Sequence, residues 1–302
     1  MKTRFDASAP YEIEHADVAF ARPEGHELLA RVYRPVGEPG EPLAAVVDVH
    51  GGAWTRFDRT LGVHHGRGLA ACGLVVVSLD FRQGPDHKHP AGSADVSAGV
   101  RWVRAHAQRL GVDPRRIALT GNSSGGHLAL LVAVKPGAKE HGGTPIVMED
   151  GSLGPSSGDD AVAFVMALYP VTDPIARYRY VLTRKDEPGG PPPAFDARRL
   201  MASHHGYFTD EAAMADASVT RIVATGEATA LPPVWLAQPE VDDNVPAPIT
   251  EAFVAAYEAA RGRIERVRIE GVRHGFIQSP GPATDRAIGL MRDFVARQLA
   301  RG

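Results

Sequence analysis

Two serines in this chain stand between glycines at G-x-S-x-G spacing: Gly121-Asn122-Ser123-Ser124-Gly125 and Gly154-Pro155-Ser156-Ser157-Gly158. The pattern is that of a nucleophile elbow, a serine on a sharp strand-to-helix turn whose glycines leave room for close packing. In a chain with 32 glycines such matches arise by chance, so context must separate the two. Residues 117–121 (IALTG) form a short apolar run, and residues 124–134 a small-residue helical stretch that stops before Pro136. Strand, turn and helix therefore follow in the required order around Ser123. Ser156 lies in a polar stretch without that frame. A helix-capping serine would account for the Ser123 hydroxyl but not for both flanking glycines.

A serine hydroxyl attacks a carbonyl only when a base takes its proton. Among 13 histidines, His274 is distinguished by its loop, Val272-Arg273-His274-Gly275-Phe276, which follows the last predicted strand. The base in turn needs a carboxylate to fix its tautomer. The loop Pro239-Glu240-Val241-Asp242-Asp243-Asn244-Val245-Pro246 offers two, Asp242 and Asp243, and either can serve. Chain order is then Ser, Asp, His. An oxyanion needs preorganised N–H donors. The apolar run 43–49 ends in His50-Gly51-Gly52-Ala53-Trp54. Gly51, Gly52 and Ala53, with the N–H of Ser124, are the predicted oxyanion hole.

These residues need a scaffold, and the hydrophobic patterning supplies one. Residues 11–34 alternate in polarity around Pro23-Glu24-Gly25, as an antiparallel pair at a sheet edge does. Apolar runs at 43–50, 74–81, 117–121, 161–170, 232–238 and 266–271 read as strands, most of them buried. Helical periodicity separates them at 93–110 (Ser93 at the cap position), 124–134, 250–260 and 284–299, and more weakly at 58–72. The alternation predicts an α/β fold with a mostly parallel sheet covered on both faces. Two stretches interrupt it. Residues 136–160, rich in Gly, Ser and Asp, read as a mobile surface insertion. Residues 174–231, with the run EPGGPPP, read as a cap over the carboxyl ends of the strands.

Composition bounds the function. At 302 residues with 44% apolar content the chain needs no staples for its core, and its one cysteine, Cys72, excludes a disulfide framework and a cysteine zinc site. A net charge of −3 gives no electrostatic case for nucleic acid or an anionic membrane. No apolar h-region opens the sequence and no apolar stretch approaches the ~20 residues of a membrane span, so a cytoplasmic protein is expected. Arginine outnumbers lysine 28 to 5, scattered along the chain as solvated surface.

The combination HGGAW, LDFR (79–82), GNSSGGH, LYPVTD (168–173), D-D-N-V-P and HGF resembles the hormone-sensitive-lipase-like and feruloyl-esterase-like branch of the α/β-hydrolases, over about residues 26–300. The resemblance implies a single α/β-hydrolase domain over 1–302. Its eight-stranded sheet carries the cap between strands 6 and 7, and its activity needs no cofactor. It matches Ser123 to the nucleophile and His274 to the base, and selects Asp242 through the spacing D-x-x-V-P. It places Asp80 and Arg82 in support behind the oxyanion loop. Two positions depart from the family. Ala53 replaces a common third glycine, which disfavours bulky tertiary-alcohol esters, and Gln238-Pro239 stands where His-Gly is frequent.

The remaining clusters point elsewhere. The pairs His64-His65, His87-x-His89 and His204-His205 lack the helical spacing and ligand number of a zinc site. Trp54, with His204, His205, Tyr207 and Phe208 of the cap, is the expected pocket lining. The reading that unites these residues is a serine carboxylesterase acting on small, uncharged esters through an acyl-enzyme, with oligomeric state left open, a homodimer included. An amidase such as an arylformamidase shares the motifs. A non-catalytic receptor on the same scaffold is the alternative from another class.

Overall fold

The computed structural model describes residues 2–188 and 195–301. Eight strands build one sheet: β1 (Ile13–Ala21), β2 (Leu28–Pro35), β3 (Leu43–Val49), β4 (Val75–Leu79), β5 (Val112–Asn122), β6 (Val165–Leu168), β7 (Val234–Pro239) and β8 (Ile264–Ile269). Their spatial order is 1-2-4-3-5-6-7-8. The β1–β2 and β2–β4 pairs are antiparallel and every other neighbour is parallel. A further short pair, Lys2–Thr3 against Glu38–Pro39, lies outside this sheet.

Period-two alternation divides each central strand between two cores. Val46, Val76, Ala118, Met166 and Trp235 face one, whereas Val47, Val77, Leu119, Val165 and Leu236 face the other. Helices α1 (Val63–Ala70) and α10 (Pro282–Leu299) cover the first face through Leu69, Ile288, Met291 and Phe294. Helices α2 (Ala91–Ala105), α3 (Ala107–Leu110) and α4 (Ser124–Val134) lie on the second, where Val96, Trp102, Leu128 and Leu131 are buried. Each fully buried Val, Leu or Ile contributes about 1.5–3 kcal/mol of transfer free energy, so the double cover explains why β3 and β4 are apolar except at Asp48 and Ser78, which bond to each other at 2.8 Å. β1 and β8 sit at the edges and keep charged residues outward.

Between β6 and β7 the chain forms α5 (Pro174–Thr183), α6 (Ala197–Tyr207), α7 (Glu211–Asp216) and α8 (Val219–Ala224); α9 (Ala247–Ala259) follows β7. The Gly-Pro run of the expected cap falls at 189–194, outside the described residues. Strand β6 is shorter than the apolar run 161–170, because Tyr169 at φ 40° and then Pro170 turn the chain out of the sheet. Helix α2 starts two residues before Ser93, whose hydroxyl instead donates to the Pro90 carbonyl at 2.9 Å. Residues 136–160 lie along α2: Thr144 Oγ1 donates to Asp95 at 2.8 Å, Arg101 donates to the carbonyls of Thr144 and Pro155, and Ser97 donates to Asp160.

Candidate active site

Strand β5 delivers Ser123 onto a turn at φ 55°, ψ −120°, a backbone conformation that a β-substituted residue holds only under constraint. The constraint is main-chain bonding. Ser123 N–H donates to Leu168 O at 2.9 Å, and its carbonyl accepts from Val171 and His127. Helix α4 begins at once, its first residues pressed against the end of β3. A Cβ at Gly125 would stand 2.0 Å from Val49 O, so only glycine permits this approach.

The hydroxyl of Ser123 lies 2.8 Å from His274 Nε2, and His274 Nδ1 lies 2.9 and 3.1 Å from the two oxygens of Asp242. Asp242 is buried, and its Oδ1 also accepts the N–H groups of Asn244 and Val245 at 2.9 and 2.8 Å. With its carboxylate partner on Nδ1, the neutral ring carries its proton there and presents the Nε2 lone pair to the serine. Asp243 is placed differently. It is one-third exposed and pairs with Arg273 at 3.3 Å, out of the histidine's line. The ring of Tyr169 packs 4.6 Å from His274.

The loop after β3 closes the other side. Gly52, Ala53 and Trp54 all have positive φ, and Gly52 and Ala53 line a cleft of about 590 Å³ together with Ser123 and His274. Among the described residues, the N–H groups of Gly52, Ala53 and Ser124 donate to no protein acceptor. Gly51 departs from its expected role, because its N–H is spent on Asn122 Oδ1 at 3.0 Å and is not free for an oxyanion. That bond ties the loop to the elbow, and a Cβ at Gly51 would stand 2.7 Å from Asn122 Nδ2. Asp80 supports the same loop by accepting from Arg59 N–H and Nη1 at 2.9 Å each. Arg82 turns away to Asp95 and Thr144.

The expected pocket lining is not the lining. Trp54 is fully buried, stacked on Tyr207 (5.7 Å between ring centroids) and edge-on to Phe208 and His204, with its N–H donated to His127 Nδ1. These rings form a core between the loop after β3 and α6, because large aromatic surface is most stable when sealed from water. His205 is exposed on the cap, bonded to Tyr178 Oη. The cleft is walled instead by Phe57, Leu200, Val272 and Phe276 and by four arginines, Arg56, Arg177, Arg199 and Arg273. The buried Arg177 corrects the reading of arginine as solvated surface, whereas Arg56 and Arg273 are exposed, and sequence alone carries no signal for their convergence on the cleft. The partners of Asn122 and Arg177 are 71 and 67 residues distant.

A family model described as alpha/beta hydrolase fold matches residues 46–278. The chain belongs to this family. Esterase LipI of Mycobacterium tuberculosis is 36% identical over 142 residues, covering 46% of this chain and 43% of that protein. Esterase LipC of the same organism is 27% identical over 282 residues, covering 90% and 64%. The chain thus spans less than half of LipI. Among solved structures, the hyperthermophilic esterase of Pyrobaculum calidifontis superposes with a TM-score of 0.71 at 27% identity, covering 97% of this chain and 86% of that one. No helix among the described residues is long and apolar enough to cross a membrane.

Proposed function

We propose that this α/β-hydrolase is a serine carboxylesterase that hydrolyses small carboxylic esters through an acyl-enzyme. One observation carries the reading: the 2.8 Å contact from Ser123 Oγ to His274 Nε2, continued at 2.9 Å to a buried carboxylate, beside three unspent N–H groups. Ser123 attacks the ester carbonyl as His274 accepts its proton. The N–H groups of Gly52, Ala53 and Ser124 hold the oxyanion, and Asp242 stabilises the imidazolium. His274 returns the proton to the leaving alcohol, then activates the water that releases the acid. The esterases similar to this chain support the ester class. A cytoplasmic setting belongs to the same proposal, since a fold whose one cysteine is buried and free needs no oxidising compartment.

Replacing Ser123 with Ala tests the assignment. Hydrolysis of p-nitrophenyl butyrate is expected to fall about 10⁴–10⁶-fold, with the circular dichroism spectrum retained. A fluorophosphonate probe should label the wild type at Ser123 and leave the variant unlabelled. Full activity in the variant overturns the proposal. A matched anilide, turned over faster than its ester, would move the enzyme to the amidases.

A further inference from the structure

The wall of the cleft contains four arginines and no aspartate or glutamate, in a chain whose net charge is −3. The undescribed segment 189–194, Gly-Gly-Pro-Pro-Pro-Ala, holds no acid side chain either. Two of the arginines have carboxylate or other contacts already. Arg273 pairs with Asp243, and Arg199 has a contact of its own. Arg177 and Arg56 pair with no carboxylate among the described residues.

Arg177 is 1% exposed. Its Nε and Nη2 donate to the backbone and side-chain oxygens of Asn244, both uncharged, and Nη1 has no partner among the described residues. Its guanidinium lies 5.8 Å from the centroid of the Trp54 ring. Burial lowers its pKa to about 10, which leaves it charged at neutral pH. The nearby carboxylate, Asp242, is already committed to His274 and two N–H groups. Arg56 stands at the mouth over Phe57, with no carboxylate within ion-pair distance among the described residues, and it feels the like charge of Arg199. A buried cation bonded only to neutral acceptors is stable when an anion arrives to complete it, and a guanidinium fork matches a carboxylate.

We propose that the substrates of this cleft are esters that carry an ionised carboxylate besides the scissile ester, with Arg177 and Arg56 as the groups that bind it. This rests on the esterase reading above and replaces the uncharged ester expected from net charge. The ring of like charge also concentrates such anions at the cleft.

The test compares monoethyl glutarate with ethyl pentanoate, equal in chain length and differing by one carboxylate, followed by proton release. The glutarate ester is expected to have the higher kcat/KM by about tenfold or more, through KM, with the ratio shrinking as salt rises. Arg177→Met should bring the ratio toward about one. Because Arg177 is buried, Arg56→Gln at the mouth is the second variant, expected to lower the ratio several-fold. Calorimetric binding of free glutarate to the Ser123→Ala protein reads the anion site without catalysis. Equal or lower kcat/KM for the glutarate ester in the wild type overturns this inference and leaves the esterase reading standing. Glutarate binding with neither ester hydrolysed keeps the anion site and overturns the esterase reading. Neither binding nor hydrolysis overturns both.

Discussion

Asp242 and Asp243 are neighbours in sequence, yet the fold gives them opposite surroundings. The Asp242 carboxylate is sealed from water and receives two main-chain N–H groups and the His274 ring, so both its oxygens have hydrogen-bond partners. Asp243 meets Arg273 at the surface, a contact worth at most about 1 kcal/mol. Asp242→Asn is therefore expected to lower kcat on p-nitrophenyl butyrate by about 10⁴-fold, because the amide no longer stabilises the imidazolium. Asp243→Asn should shift stability by a few tenths of a kcal/mol and kcat by less than about threefold. Steady-state kinetics on the two variants decide between them, and a larger loss in the Asp243 variant would reverse the assignment. The loop's residue types leave both acids open, and in sequence it is only the family spacing D-x-x-V-P that selects Asp242. What separates them is the turn of the loop, which a motif can copy but a composition cannot show. The commitment of Gly51 to Asn122 is invisible for the same reason, since it joins two motifs through one side-chain bond.

Helices of this molecule start in two ways. The α2, α4, α9 and α10 helices have no side-chain cap and draw their stability from a buried face. The four cap helices are each opened by a side-chain acceptor: Asp173 for α5, Asp196 for α6, Asp210 for α7 and Ser218 for α8. Short helices over a cleft bury less, so each end bond counts for more. Helix α6 carries Arg199 and Leu200 on the cleft wall and Tyr207 in the aromatic core. Asp196→Ala should cost about 1 kcal/mol at the α6 N-terminus. We expect KM for p-nitrophenyl butyrate to rise while kcat changes less, because Ser123, Asp242 and His274 sit on β5 and the loops after β7 and β8. A fall in kcat at constant KM would mean that the α6 wall reaches the chemistry itself. The buried strands are readable as mainly apolar runs flanked by turns, and the edge hairpin as alternation. The cap reads only as mixed helical sequence, because its short helices lack a sustained period.

At the scale of the whole molecule, sequence reading succeeds where one local run dictates burial and fails where distant segments meet. The strand, turn and helix around Ser123, the glycine loop after β3 and the loop that holds His274 are each visible within a few residues of sequence, and the sheet order then brings them together. The cleft wall is assembled from positions as far apart as Phe57, Arg177, Leu200, Asn244 and Phe276, so no window of sequence contains it. The aromatic residues at the end of α6 look like a ligand pocket in sequence, but packing uses them to seal α6 against Trp54 and His127. That seal has a consequence for acid stability. His127 and His204 lie inside it and His89 borders it, with burial lowering their pKa values to about 3, about 3 and about 4. His127 is further fixed as a neutral tautomer, accepting from Trp54 Nε1 and donating to Ala217 O. An unfolded histidine titrates near 6.5, so between about 6.5 and the folded values the unfolded chain holds more protons than the native one. These groups thus contribute their full stability above about pH 6.5. The contribution is lost as pH falls toward 4 and 3, at about 1.4 kcal/mol per pH unit for each histidine. The depressed carboxylates, Asp17 among them, stay ionised between pH 6.5 and 5; burial also lowers the pKa values of His50 and His141, which adds to the fall, and raises that of Asp95, which opposes it. The urea midpoint should fall steadily from pH 7 to pH 5 with little change in slope against denaturant. A His127→Gln protein should be less stable at pH 7 yet show a shallower fall. A midpoint independent of pH across that range would mean that the three rings are not held neutral inside the fold.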